Sequence, residues 1–162
     1  MLHTIAPIYD SSSKVLILGS FPSVKSREEL FYYAHPQNRF WRVLAFLLSC
    51  DVPDTVEGKR EMLLKNNIAL WDVIQSCDID GSDDASIRNV VPNDLSKIID
   101  TADIKCIFTN GDKAYKLYKK FCLPMTGIAA EKIPSTSPAN AGYGFERLTE
   151  AWKTVVNSIS QQ

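Results

Sequence analysis

The sequence predicts an α/β fold, a three-layer α/β/α sandwich around a short, mostly parallel central sheet. Apolar runs of strand length alternate with segments whose apolar residues recur at helical spacing. The runs are continuous rather than alternating, as expected of strands covered on both faces. Loops rich in Gly, Pro and Ser follow strand ends, where open α/β sheets place their ligands. At 162 residues, 45% hydrophobic and 23% charged, the chain suits one domain over 1–162. No linker, internal repeat or low-complexity segment divides it.

Lys14-Val-Leu-Ile-Leu is an apolar strand that breaks into the loop Gly19-Ser-Phe-Pro-Ser23. Residues 38–49 place Phe40, Val43, Leu44, Leu47 and Leu48 on one helical face, so Asn38 sits at or near a helix start. Asp54 with Glu57 resembles a capping box opening a second helix that runs to about Lys65, where Asn66-Asn67 ends it. Residues 68–74 read as a short buried strand, and the polar stretch 75–92 as a long loop. A helix from Asn93 to about Thr101 precedes a strand over 105–110 bounded by Gly111. The next helix presents Ala114, Leu117, Tyr118 and Phe121, and a weaker strand over 128–134 leads into Ser135-Thr-Ser-Pro-Ala-Asn140. A final helix aligns Phe145, Leu148, Trp152, Val155, Val156 and Ile159.

Composition narrows the chemistry. Met-Leu-His-Thr-Ile-Ala-Pro is not a signal peptide, and no stretch reaches the ~18 apolar residues of a membrane span, so a cytoplasmic protein is expected. Cys50, Cys77, Cys106 and Cys122 form no CxxC pair, and with two His residues they give no metal spacing; most should be buried thiols. Neither metal nor cofactor is expected. A net charge of −1 gives no general attraction to phosphate, so nucleic-acid contacts must come from local groups.

The segment from Phe31 to Trp41 gathers aromatics around a His-Pro turn and can stack on a flat ring. Phe40 and Trp41 read as core anchors, because their helix needs a buried face, whereas Tyr33 reads as facing a ligand. His35, held extended by Pro36, reads as a hydrogen-bonding structural residue. Asn38 either caps its helix or holds a water or a base edge. Asp72, inside an apolar run, is either a loop-anchoring hub or part of a site. Ser135, Thr136 and Ser137 before Pro138 suit a phosphate-gripping loop and equally an ordinary turn.

Together these residues resemble the uracil-DNA glycosylase superfamily, whose first motif is a strand-end Gly-x-x-Pro loop and whose second is a short Ser/Pro loop. From Gly19 to Trp41 the chain is similar to the mismatch-specific branch, which carries Phe/Tyr-Ala-His-Pro-x-Asn-Arg-Phe-Trp at this distance from its first motif. Over nearly its full length, including Leu70-Trp-Asp-Val73, Asn110-Gly111 and the 135–140 loop, it resembles the hypoxanthine-DNA glycosylase branch most. Two positions depart from the wider pattern: Phe21 stands where other branches carry a water-positioning Asn or Asp, and Ala139 where they carry a wedge Leu. Tyr143 is a candidate substitute wedge.

The resemblance implies a monofunctional glycosylase that flips deoxyinosine out of DNA and hydrolyses its N-glycosidic bond. Asn38 is implied as the catalytic residue, orienting water or the base in an oxocarbenium-like reaction that needs no carboxylate. Gly19, Ser20, Phe21, Pro22, Tyr33 and His35 are implied to bind the base, with Tyr33 stacking on it. Ser23, Ser135, Thr136, Ser137, Pro138 and Asn140 are implied to hold double- or single-stranded DNA containing deaminated bases, the enzyme acting as a monomer. The alternatives are a uracil or broad deaminated-base glycosylase and a non-catalytic module that recognises damaged DNA.

Overall fold

A computed structural model describes residues 1–160. Four strands form the central sheet in the order β2–β1–β5–β6, all parallel: β1 (Val15–Gly19), β2 (Ile68–Asp72), β5 (Cys106–Asn110) and β6 (Ala130–Ile133). Every residue of β1 and β2 is buried, which requires both faces to be covered. The helices are α1 (Val24–Glu29), α2 (Phe40–Leu47), α3 (Val56–Lys65), α4 (Ser96–Ile99), α5 (Asp112–Leu117), α6 (Leu123–Thr126) and α7 (Phe145–Ser160). α7 packs on α2 and β1, α3 lies beside β2, and α5 covers β5 and β6. This is the predicted α/β fold, a mostly parallel sheet flanked by helices.

Three expectations about elements change. The stretch 75–92 is not a loop: Ile74–Asp78 (β3) and Arg88–Pro92 (β4) pair antiparallel as a separate hairpin, tipped by a short 3-10 turn over Asp84–Ser86. Its bulged strands alternate weakly, so their polar residues read as loop. The cap of α3 is Thr55, whose Oγ1 accepts from the Gly58 amide at 2.9 Å, rather than Asp54. The helix after β5 is longer than a single run, because α5 passes through a π-helical turn at Tyr118–Cys122 into α6. The thiols are all free, with Cys77 and Cys122 buried, Cys106 half-buried and Cys50 exposed.

Phe40 and Trp41 are core residues, as expected. Phe40 packs edge-on against both Trp41 and Trp152 of α7, joining the aromatic segment to the final helix. Residues 1–9 run back antiparallel along β2 and the hairpin, with Leu2 bridging Ser76 and Ile8 bridging Leu70. That register delivers His3 to the carboxyl end of β2. Among the described residues no helix is long and apolar enough to cross a membrane, and no group of three or more His, Cys, Asp or Glu is placed to hold a metal ion.

Candidate active site

The carboxyl ends of β1, β2 and β5 open onto a cleft of about 320 Å³. The loop after β1 lines it with Gly19, Ser20, Phe21, Pro22 and Ser23; the aromatic segment adds Tyr33, His35 and Asn38; the loop after β6 adds Ser135, Thr136, Ser137 and Pro138. The sheet thus brings together residues more than a hundred positions apart. Asn140 alone of the predicted site residues lies outside this cleft, in the adjoining groove, where its Nδ2 donates to the Ser135 carbonyl at 3.0 Å.

Tyr33 sits at a φ of 52°, a left-handed conformation that is costly for a bulky residue. The turn swings its ring across the cleft. One face lies on Phe40, with centroids 4.1 Å apart and planes 17° from parallel, and the other is left for the cleft. Its hydroxyl is buried beside Asp72 and Asn110 with no hydrogen-bond partner among the described residues; burial and the Asp72 charge push its pKa up, so it stays protonated.

Asn38 uses one end of its amide to hold its helix. Oδ1 accepts from the Phe40 amide at 3.0 Å, holding the first turn of α2. That bond fixes the amide orientation and leaves Nδ2 as the end available to the cleft. Asn38 can therefore offer a donor to a ligand, and its oxygen is already engaged.

His35 shapes the turn, its Nδ1 accepting from the Gln37 amide at 3.1 Å and its carbonyl from the Asn38 amide at 2.9 Å. Ser23 caps α1, accepting from the Ser26 amide at 3.2 Å. Thr136, expected at the DNA surface, is fully buried: its Oγ1 accepts from Asn110 Nδ2 and its amide donates to Asn110 Oδ1, both at 3.0 Å. It latches the loop to β5 and offers no hydroxyl outward. Ser135 and Ser137 each accept a loop amide, from Ser137 and Ala139 respectively, at 3.1 Å. Their hydroxyl protons remain for an outside acceptor such as phosphate, while the amides themselves turn inward.

Asp72, read as either a hub or part of a site, lines the cleft, whereas Arg39, Asn110 and Asp84 were missed as parts of the site. The Arg39 guanidinium donates to the carbonyls of Tyr143, Asn140 (3.2 Å) and Ser137 (3.4 Å), tying the second loop to the aromatic segment. Asp84 enters from the hairpin tip and accepts from Ser20 Oγ at 3.0 Å. Its residue surface is exposed, but its carboxyl is set against the cleft, where desolvation pushes its pKa up against the opposing Ser20 hydrogen bond. The tip is docked further by Arg27, which donates to the Gly81 carbonyl at 2.6 Å, and by Ser82, which accepts from the Val24 amide at 2.9 Å. The GxxP spacing, the His-Pro turn and the Ser/Pro loop announce the site in sequence; Arg27 and Asp84 have no local signature.

The sequence profile described as the uracil DNA glycosylase superfamily matches residues 6–158. The chain belongs to the uracil-DNA glycosylase superfamily. Within it, the chain is 33% identical over 150 residues to a protein named hypoxanthine DNA glycosylase from Methanosarcina acetivorans, covering 91% of this chain and 93% of that one. A protein of the same name from Methanosarcina barkeri is 34% identical over 136 residues, covering 83% and 85%. The solution NMR structure of a Methanosarcina acetivorans protein described as a candidate uracil DNA glycosylase superposes with a TM-score of 0.80 at 31% identity, over 99% of both chains. In this superfamily member, Phe21 occupies the first loop as a buried aromatic, edge-on to His3 and under the Arg27 guanidinium.

Proposed function

We propose that this protein is a monofunctional DNA glycosylase that excises hypoxanthine from deoxyinosine, leaving an abasic site. The observation that carries the reading is the match, over most of the chain, to relatives named hypoxanthine DNA glycosylase. The cleft supports it with a stacking ring at Tyr33 and an amide donor at Asn38.

The reaction begins with the deoxyinosine rotated out of the DNA, at a lower unpairing cost for a mismatched base. Ser135 and Ser137 donate their hydroxyl protons to the flanking phosphates. The base stacks on Tyr33, a contact worth about 1–3 kcal/mol per base in other complexes. As the C1′–N9 bond breaks, positive charge grows on the sugar and negative charge on the departing purine. Asn38 Nδ2 donates a hydrogen bond to that anion or to the oxygen of the attacking water. Water adds at C1′ and its proton passes to solvent, from which the released hypoxanthine anion takes up a proton. A lyase route through a Schiff base needs an amine at the sugar, and among the described residues no lysine lines the cleft. Action as a monomer, on double- or single-stranded DNA in the cytoplasm, belongs to the same proposal.

Release of free base from matched oligonucleotides carrying deoxyinosine, deoxyuridine or deoxyxanthosine tests it. Hypoxanthine should be released fastest, in both strand contexts. Release of uracil alone would replace this reading with uracil excision. Tight binding of deoxyinosine DNA with no abasic product would make the protein a damage-recognition module, the outcome to which Phe21 gives most room.

A further inference from the structure

We infer that Asp84, at the tip of the β3–β4 hairpin, is a second catalytic residue, which faces the positive charge that grows on the sugar. The assignment rests on the glycosylase reading above. It adds a partner for the second of the two charges that separate in the reaction, Asn38 Nδ2 serving the first.

The first loop cannot supply that partner itself. Gly19, Ser20, Phe21, Pro22 and Ser23 include no ionisable side chain, and Phe21 is buried against His3 and Arg27. Among the described residues, two carboxylates line the cleft, Asp72 and Asp84. Asp72 is buried at the end of β2 and is bound by His3 Nε2 at 2.8 Å. Asp84 arrives from a hairpin that is separate from the central sheet, and its Oδ1 accepts from Ser20 Oγ at 3.0 Å. Its Oδ2 is left without a partner among the described residues.

The place of Asp84 decides what it can touch. The cleft and the groove beside it are both lined by Asp84 from the hairpin and by Ser135, Ser137 and Ala139 from the loop after β6. Among the described residues, Asp84 is the only ionisable one on that shared rim. A nucleotide whose base stacks on Tyr33 and whose phosphates meet Ser135 and Ser137 carries its sugar between the two, at this rim. Its C1′ and ring oxygen, where the positive charge forms, then face the Asp84 carboxylate.

The electrostatics suit that task. Desolvation against the cleft pushes the Asp84 pKa up; the Ser20 bond and the Lys113 charge on α5 oppose the rise, and the Asp72 and Asp83 charges add to it. A carboxylate withdrawn from water attracts a cation more strongly than one in bulk solvent. Because Ser20 orients it before the reaction starts, little has to reorganise as the charge on the sugar forms. Asp84 acts through its charge alone. It takes no proton and forms no bond to C1′, and the proton of the attacking water still passes to solvent. Ser20 is a positioning residue in this scheme and acts on the sugar only through Asp84.

The test separates charge from shape. Asp84→Asn keeps an oxygen for Ser20 and removes the negative charge. Single-turnover release of hypoxanthine should fall at least about tenfold in this variant, as for loss of a preorganised contact to a developing charge. Binding of DNA carrying uncleavable 2′-fluoroarabino inosine should change less than about twofold, because the neutral ground state does not use the charge. Ser20→Ala should lower the rate in part, and Ser20→Thr, which keeps the hydroxyl, should restore it. The intact protein is also tested with two abasic analogues, a pyrrolidine with its protonated nitrogen at the C1′ position and the neutral tetrahydrofuran. DNA holding the pyrrolidine should bind at least about tenfold tighter, and Asp84→Asn should bring the two close together. Release at the parent rate by folded Asp84→Asn protein, or no preference for the pyrrolidine in the intact protein, would overturn the assignment while leaving hypoxanthine excision standing. If the parent releases only uracil, hypoxanthine excision fails and the same variants are scored on uracil release. No base release from any of these strands would overturn both readings.

Discussion

The two loops at the mouth of the cleft are built in opposite ways. The second, over 135–140, is largely self-supporting: Ser135, Ser137 and Asn140 bond its own backbone, while Arg39, Asn110 and the Tyr143 amide reach it from outside. The first, Gly19 to Ser23, takes most of its support from distant chain. Asp72 and Tyr33 close over Gly19, Asp84 holds Ser20, and His3 and Arg27 pack on Phe21. A loop that folds on itself carries its design in its own residues. A loop assembled by tertiary contact acquires its chemistry from elsewhere, and here what arrives is a histidine-bound carboxylate and a carboxylate from a hairpin tip.

Breaking the outside support of each loop gives the largest effects. Arg39→Ala releases three carbonyls at once, and charge-assisted bonds of this kind are worth ~1.5–3 kcal/mol each before compensation by water. Denaturant unfolding should show a loss of ~2–4 kcal/mol in total, with excision falling at least about a hundredfold, on the scale of misplaced substrate-binding groups. Gly19→Ala inserts a methyl group against Asp72 and the Tyr33 hydroxyl. Overpacking at such a site costs ~1–3 kcal/mol, and base release should fall with it because either the ring or the carboxylate must move.

The contrast also governs what the sequence discloses. The strands of the central sheet, the Phe40 and Trp41 anchors and the place of Tyr33 on the cleft follow from periodicity and from the His-Pro turn. The Ser/Pro loop is visible because its bonding is local. Asp72 could be flagged as an isolated carboxylate in an apolar run, but its partner His3 lies 69 residues away and is delivered by two isolated bridges rather than by a strand. Asp84 was hidden because its hairpin has one largely exposed strand, β4, and a bulged partner, β3, that buries Ile74 and Cys77 without the alternation that marks a half-buried sheet. Thr136 and Asn140 misled in the other direction: a polar residue in a Ser/Pro loop suggests a ligand, while the structure commits the Thr136 hydroxyl to Asn110 of β5 and the Asn140 amide to the loop's own backbone.

Smaller effects sharpen the comparison. Removing both outward hydroxyls with Ser135→Ala and Ser137→Ala should weaken DNA binding by ~1–2 kcal/mol, with part of the loss from the two internal turns. A titration at several salt concentrations should show a nearly unchanged slope, because neither group is a cation. The smallest effect on stability belongs to Asp84→Asn, which keeps an acceptor for Ser20. Asp84 has a raised pKa in the folded state, so its ionised form costs stability above that pKa, and the cost disappears as pH falls through it. The variant should therefore unfold slightly above the parent temperature at neutral pH, and the two should converge in acid.

Asn38→Asp provides the most direct measurement of the central proposal, because it separates the two uses of this side chain. An aspartate keeps the oxygen that holds the Phe40 amide, so the helix start and the fold should be preserved, while the Nδ2 donor facing the cleft is lost and replaced by a like charge for the departing purine anion. Single-turnover release of hypoxanthine should fall at least about a hundredfold in the folded variant, the usual scale for losing a donor at a developing anion. Release at the parent rate would contradict the account and return Asn38 to a helix-capping residue.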